Sequence, residues 1–439
     1  MANYYVGKDG NDSHTGLSDD TAHRWLTIQK ALSVMVAGDT TTVHAGTYNE
    51  KISPANSGSA GNLITLQAYP GDNVIVDGTS VGITEYGILT INTSYFTVSG
   101  LVFQNSPFFG IMTDADSLTL SHITIQNCTC HNCGCSGIAN VTYYDNGLQT
   151  GNLTYVTVTG CICYTCNTSN NFESISIVGV NHFTETHNIV YNCNYAAGAC
   201  IDVKVGCLNG TVAYNSCYSS TCPGIYLDAR SAENTIAIYN NLIYGCSTGV
   251  SLADESSSYV LSAISIYDNI IYNCGRGLEV DHYGTETITF TFIDNSLYNN
   301  DSGGQQILIA NYTNLSSCVI RDNVLSSSTN GIYAIYIAAG GSGANLVVDH
   351  QDYYNSGGAF NGSSYFGTNY ITSNPLFVNP TSNFALQAGS PCIGAGSSTG
   401  APSTDYAGNS RNSPPCIGAY EYIAGSSPPI IATVMGVNI

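Results

Sequence analysis

The chain has 439 residues, a formal net charge of −21 and only nine Lys and Arg. With no basic run to displace phosphate counterions, nucleic-acid binding is excluded, and a polyanionic ligand would be repelled unless cations are concentrated locally. No uninterrupted apolar stretch of about 18 residues occurs, so no membrane span is expected; abundant strand formers, Gly, Asn and Ser favour β structure with many turns.

The chain enters "NYYVGKDG" directly after Met-Ala, which suggests the mature form of an exported, extracellular protein. Next, "TIQKALSVMVAGD" spaces Ile28, Ala31, Leu32 and Met35 along one helical face, predicting a short helix that caps a coil within residues 1–64.

From residue 65 to 356 the sequence repeats. "THNIVYNC", "AYNSCYSS", "IYNNLIYGC", "IYDNIIYNC" and "FIDNSLYNN" bring Asn188, Asn215, Asn241, Asn269 and Asn295 back at intervals of 27, 26, 28 and 26 residues. A tyrosine follows each by three positions: Tyr191, Tyr218, Tyr244, Tyr272 and Tyr298. A second recurring strand, "SISIV", "CIDVK", "GIYLD", "GVSLA" and "GLEVD", lies between them. Short alternating strands repeating at this period predict an all-β, parallel β-helix (solenoid), with the asparagines forming an interior ladder between rungs about 4.8 Å apart.

The cysteine count is odd, 17, so not all can pair within the chain. The run "CTCHNCGC", Cys128 to Cys135, has spacings a zinc site can use. Core packing is the favoured reading, because Cys128, Cys193, Cys246 and Cys274 are assigned to one slot of the repeat. Cys392 and Cys416, each followed by "IGA", are the best disulfide pair. Sequons at Asn92, Asn140 and Asn209 permit glycosylation.

Residues 357–422 hold more Pro and Gly and no rung pattern; they predict an irregular C-terminal cap, followed by a linker or tail at 423–439.

The opening "YYVGKDGNDSHTGLSDDTAHRWLTIQKAL", the repeat and the ending "FALQAGSPCIGAG…DYAGNSRNSPPCIGAYEY" together resemble right-handed parallel β-helix proteins of the pectate-lyase-like superfamily. Within it, "IDVKVG…GIYLDA" is most similar to family 9 polysaccharide lyases. That resemblance implies a lysine base and an aspartate-bound Ca2+, with Lys204 and Asp202 the matching positions.

Aligned rung by rung, Ile175/Ile177, Ile201/Val203, Ile225/Leu227, Val250/Leu252 and Leu278/Val280 point inward. Asp202, Lys204, Tyr226, Asp228, Arg230, Glu255, Glu279 and Asp281 then share the outward, solvent face, with Arg276 just before the last strand. Concentrating charge there in so charge-poor a chain is more than exposed ion pairing explains, since such pairs contribute about 0–1 kcal/mol.

Lys204, Asp202, Asp228, Arg230 and Glu255 are the candidate catalytic residues; Tyr226, Arg276, Glu279 and Asp281 are candidate substrate contacts; Asp202 and Asp228 are candidate calcium ligands. The favoured reading is a secreted, monomeric polysaccharide lyase acting on a uronate polymer by β-elimination. Lys204 is the base, its pKa expected to be lowered by crowding against Arg230. Two alternatives stand beside it. A glycoside hydrolase would pair Asp228 with Glu255, or Asp202 with Asp228. A non-catalytic adhesin or tail-spike-like shaft would stack sugars on its tyrosines.

Overall fold

The computed structural model describes residues 1–84, 86–142, 151–168, 173–195, 198–254, 260–282, 288–300, 302–310, 315–329, 332–338, 345–358 and 367–425. The chain divides into two compact units, Met1–Glu233 and Asn234–Ile439. Both are built as parallel β-solenoid, as the repeat predicted.

One coil of the first unit runs through strands Val180–Thr186, Ile189–Tyr191 and Ile201–Lys204. Each pairs in parallel with its counterpart one repeat away: Thr184 with Thr211, Tyr191 with Tyr218, Ile201 with Ile225. The strands are three to eight residues long because the corners come quickly. Corner residues such as His187, Asn192 and Tyr214 adopt φ of 58°, 56° and 58°, a region that Asn, Asp and His tolerate better than most residues.

The helix Ile28–Val34 forms where expected, with Thr27 accepting a hydrogen bond from the Lys30 amide as its N-cap. Ile28, Ala31, Leu32 and Met35 are all buried.

The asparagine ladder is present in both units. In the first, the Cys161 amide donates to Asn188 Oδ1 and the Asn188 amide to Asn215 Oδ1, both at 2.9 Å. In the second it runs from Asn241 through Asn269, Asn295 and Asn323 to Gln351 at 2.9–3.3 Å. Each amide answers a corner amide that no strand partner reaches, which is why the position is polar inside an apolar coil.

All 17 cysteines are buried thiols and none forms a disulfide, so the predicted Cys392–Cys416 bridge is absent. Each sulfur has another partner: Cys392 Sγ lies 3.3 Å from Asp352 Oδ2, and Cys416 Sγ 3.2 Å from Glu421 Oε1. The slot assignment also needs correcting. Cys161 donates to Asn188 Oδ1, and both Cys128 and Cys161 lie five residues before a further core cysteine, Cys133 and Cys166. Cys128 therefore occupies the asparagine slot, and Cys133 the slot of Cys193. Asn140 is fully buried on the inward side, out of reach of glycosylation, whereas Asn92 and Asn209 are exposed.

The irregular C-terminal segment of the second unit covers apolar surface along the coil's flank. Phe377, Phe384, Leu386, Ile417 and Tyr420 pack on Leu242, Ile270, Tyr272 and Val324. Arg411, 3% exposed, pins it: its guanidinium contacts Asp268, Asp294 and Glu421 and donates to the Gly418 carbonyl. Among the described residues no helix is long and apolar enough to cross a membrane.

Candidate active site

Strand Ile201–Lys204 alternates as the sequence predicts. Ile201 and Val203 fill the coil, while Asp202 and Lys204 lie on the outer side. Outward is not the same as exposed, and here the expectation fails. Asp202 is 0% exposed, Asp228 3%, and only 15% of the Lys204 side chain meets solvent. The outer face of this sheet carries an apolar cluster of its own, including Phe109, Met112, Ala139, Val141, Val178 and Val205. In the register Met112–Ala139–Ser176–Asp202–Tyr226, the face turns from apolar to polar at Ser176. The site begins at that change.

Lys204 Nζ lies 2.7 Å from Glu173 Oε1 and 3.1 Å from Asp202 Oδ2. Ser176 Oγ donates to the other Glu173 oxygen at 2.9 Å. On the following strand Tyr226 stands opposite Asp202 and Asp228 opposite Lys204. Arg230, with 48% of its side chain exposed, reaches Asp228 Oδ2 with Nε at 3.4 Å. Glu233, fully buried, accepts the backbone N–H groups of Gly206 and Cys207.

These surroundings reverse the expected titration of Lys204. Burial works to lower its pKa, but Asp202 and Glu173 outweigh it and hold the ammonium above the usual lysine range. Arg230 is occupied with Asp228 and does not set the lysine's state. Burial pushes Asp202 well above the usual carboxylate range, with Lys204 opposing and Glu173 and Asp228 reinforcing. Burial does the same to Glu233, aided by the charges of Asp202 and Asp228.

The corner after Lys204 is strained. Val205, buried and β-branched, sits at φ 59° and donates its amide to the Asp228 carbonyl at 3.3 Å. Such a residue in the left-handed region costs about 1–3 kcal/mol and persists where surrounding contacts over-determine it.

Of the sequence-predicted residues, Asp202, Lys204, Tyr226, Asp228 and Arg230 come together in the first unit. Arg276, Glu279 and Asp281 belong to the second. There Arg276 Nη1 pairs with Glu279 Oε1 at 3.1 Å, and Thr248 donates to Glu279 Oε2 at 3.2 Å. Glu255 lies outside the described residues. Glu173 and Glu233 were missed because Glu173 lies two residues ahead of strand Ile175–Val178 and Glu233 opens strand Glu233–Tyr239 on a different sheet, both outside the aligned column; the signal available was an acid beside a rung in a chain short of charge.

One run of tyrosines is stacked on itself. His131, Tyr164, Tyr191 and Tyr218 stack successively at 4.7, 5.1 and 5.0 Å, so neighbouring rings cover the faces a sugar would use.

Residues 4–194 match the model of a "Pel9A-like, right handed beta helix region", and residues 139–291 a general "right handed beta helix region". The chain is 31% identical over 140 residues to pectate lyase PEL9 of Emericella nidulans, covering 29% of this chain and 33% of that one. The curated relatives it matches are thus spanned for only 27% and 33% of their lengths. Among solved structures, a XylC–xylose complex superposes with a TM-score of 0.66 at 12% identity, covering 96% of this chain and 98% of that one. The crystal structure of pectate lyase Pel9A gives 0.59 at 17% identity, covering 96% and 97%.

Proposed function

We propose that this chain, a pectate-lyase-like right-handed parallel β-helix, cleaves a uronate-containing polysaccharide by β-elimination at the Glu173–Asp202–Lys204 cluster, acting as an exported monomer. One observation carries the choice of reaction. The groups that reach solvent are cations, Lys204 and Arg230, while the carboxylates behind them, Glu173, Asp202 and Asp228, are buried. A hydrolase of the paired-carboxylate kind needs acids that touch the glycosidic oxygen; here the acids face lysine and arginine. Local cations also answer the repulsion that a charge of −21 imposes on a polyanion.

In the elimination, the C–H bond α to the uronate carboxylate breaks and its proton passes to Lys204 Nζ. The electron pair forms the C=C bond as the glycosidic C–O bond breaks, and the departing oxygen takes a proton from solvent. Lys204 must first be neutral, and Glu173 Oε1, 2.7 Å away, is the group placed to accept its proton. Arg230 faces the substrate carboxylate. Tyr226, half-buried one strand on, lines the approach.

The donor set fits a hard cation in part. Asp202 is fully buried and its Oδ1 has no hydrogen-bond partner, and Asp228 lies on the next strand. Calcium takes about six to eight oxygen ligands, so these two would hold it with water and substrate completing the shell. When bound it would supply positive charge toward the substrate carboxylate.

Digestion of a panel of uronate polymers tests this. The expected product is an unsaturated uronate, seen by its ultraviolet absorbance; new reducing ends without that absorbance would establish hydrolysis instead, and neither signal across the panel would favour the adhesin.

A further inference from the structure

Most of the core sulfurs stand in single file. Cys130 and Cys163 are register partners on adjacent strands, and Cys128 and Cys161 occupy successive rungs of one slot. Cys193, Cys200 and Cys222 are arranged differently. They come from three different positions of the coil: the end of one corner, the residue before strand Ile201–Lys204, and the corner before strand Ile225–Ala229. All three are fully buried, and their sulfurs lie within 4.8 Å of one another. The contacts close a triangle: Cys193 meets Cys200 and Cys222, and Cys222 meets Cys200. Among the described residues this is the one group of three metal-ligating side chains that converges.

The surroundings are hydroxyls. Ser174 Oγ is 2.8 Å from Cys193 Sγ, and Cys200 Sγ is 3.2 Å from Ser220 Oγ. Ser220 Oγ also accepts the Cys193 amide at 3.1 Å and donates to the Tyr218 carbonyl at 3.1 Å.

We propose that Cys193, Cys200 and Cys222 form a structural binding site for a thiophilic d10 cation of the Zn2+ class, enclosed in the coil interior of the first unit. Three convergent sulfurs are the donor type such ions select over oxygen. The Ser174 hydroxyl beside Cys193 is the nearest side chain able to complete a fourth position. The sulfurs ligate as thiolates, so binding displaces their protons. Loading therefore releases protons and strengthens with pH. Because the sulfurs are enclosed, the ion enters as the chain folds and then exchanges slowly.

The full chain, produced with Zn2+ or, separately, Cd2+ in the medium, would be desalted through chelator and assayed for metal by elemental analysis. The Cd2+ form would also be read by thiolate charge-transfer absorbance. One ion per chain is expected, falling at least tenfold in Cys222→Ser and in Cys200→Ser and persisting in Cys163→Ser. Serine is tolerated at the Cys200 slot, since Ser174 occupies it one rung earlier, so Cys200→Ser decides the matter if Cys222→Ser does not fold. Failure of the wild-type chain to retain an ion overturns the proposal. So does equal retention by the Cys200 and Cys222 variants.

Discussion

Lys204 holds its ammonium 2.7 Å from the Glu173 carboxylate, 31 positions earlier in the chain. That contact makes the lysine a charged group at rest and gives its catalytic use a clear pH signature. If Lys204 is the base, kcat/KM climbs toward alkaline pH as the ammonium is lost. Glu173→Gln removes one of the two charges that raise its pKa, so the midpoint of that rising limb moves down by about one unit, equivalent to about 1.4 kcal/mol. A limb that stays in place would remove Glu173 from the mechanism.

Replacing Lys204 strands Asp202, which is fully buried. Lys204→Met is expected to abolish cleavage and to destabilise the fold near neutral pH by about 3–5 kcal/mol, the cost of leaving a buried charge uncompensated. The sign follows from linkage. The raised lysine pKa contributes stability that is complete below its unfolded value and is lost as pH rises through the folded value. The deficit of the variant, read from denaturant midpoints, should therefore shrink at strongly alkaline pH. It should shrink in acid as well, where Asp202 is protonated.

Calcium dependence separates the two sources of positive charge at the site. Chelator is expected to suppress cleavage and added Ca2+ to restore it, with Asp228→Asn weakening the calcium response at least tenfold. Full activity in chelator would leave Lys204 and Arg230 as the cations that meet the substrate.

Several buried acids set a stability profile opposite to that of ordinary carboxylate pairing. Burial pushes Asp352 up to about 8, against the Cys392 thiol, and Asp322 up to about 7, against the Ser397 amide. Each binds its proton more tightly folded than unfolded. Its contribution is complete below about pH 4 and is lost as pH rises through 7 to 8. The melting temperature should fall between pH 5 and pH 9, and Asp352→Asn should flatten that fall while changing little at pH 5.

The ladder predicts a further cost. Asn269 accepts the Asn241 amide and donates to the Ile238 carbonyl, both at 3.0 Å. Asn269→Ala leaves buried groups without partners and should cost about 1–3 kcal/mol, seen as a lower denaturation midpoint.

The rungs were legible because their pattern is local and repeated. Ile201 and Val203 inward with Asp202 and Lys204 outward needs only period-two alternation, and the asparagine slot needs only a corner that recurs. The helix Ile28–Val34 was legible for the same reason, from spacing along a single face. Register supplied no information on how deeply an outward side chain is covered. It assigned Asp202 to solvent, whereas the side chain is fully buried and paired with Lys204.

By itself, the sequence determined the coil, its inward and outward faces, the ladder and the packing of thiols in the core, because these repeat and each repeat reinforces the next. Tertiary structure alone decided that Glu173 meets Lys204, that the lysine is held as an ammonium, that Cys392 and Cys416 stay unbridged and that Cys193, Cys200 and Cys222 form a triangle. Those contacts join corner residues to strands across turns of unequal length, where no period operates and only the path of the chain sets which groups meet.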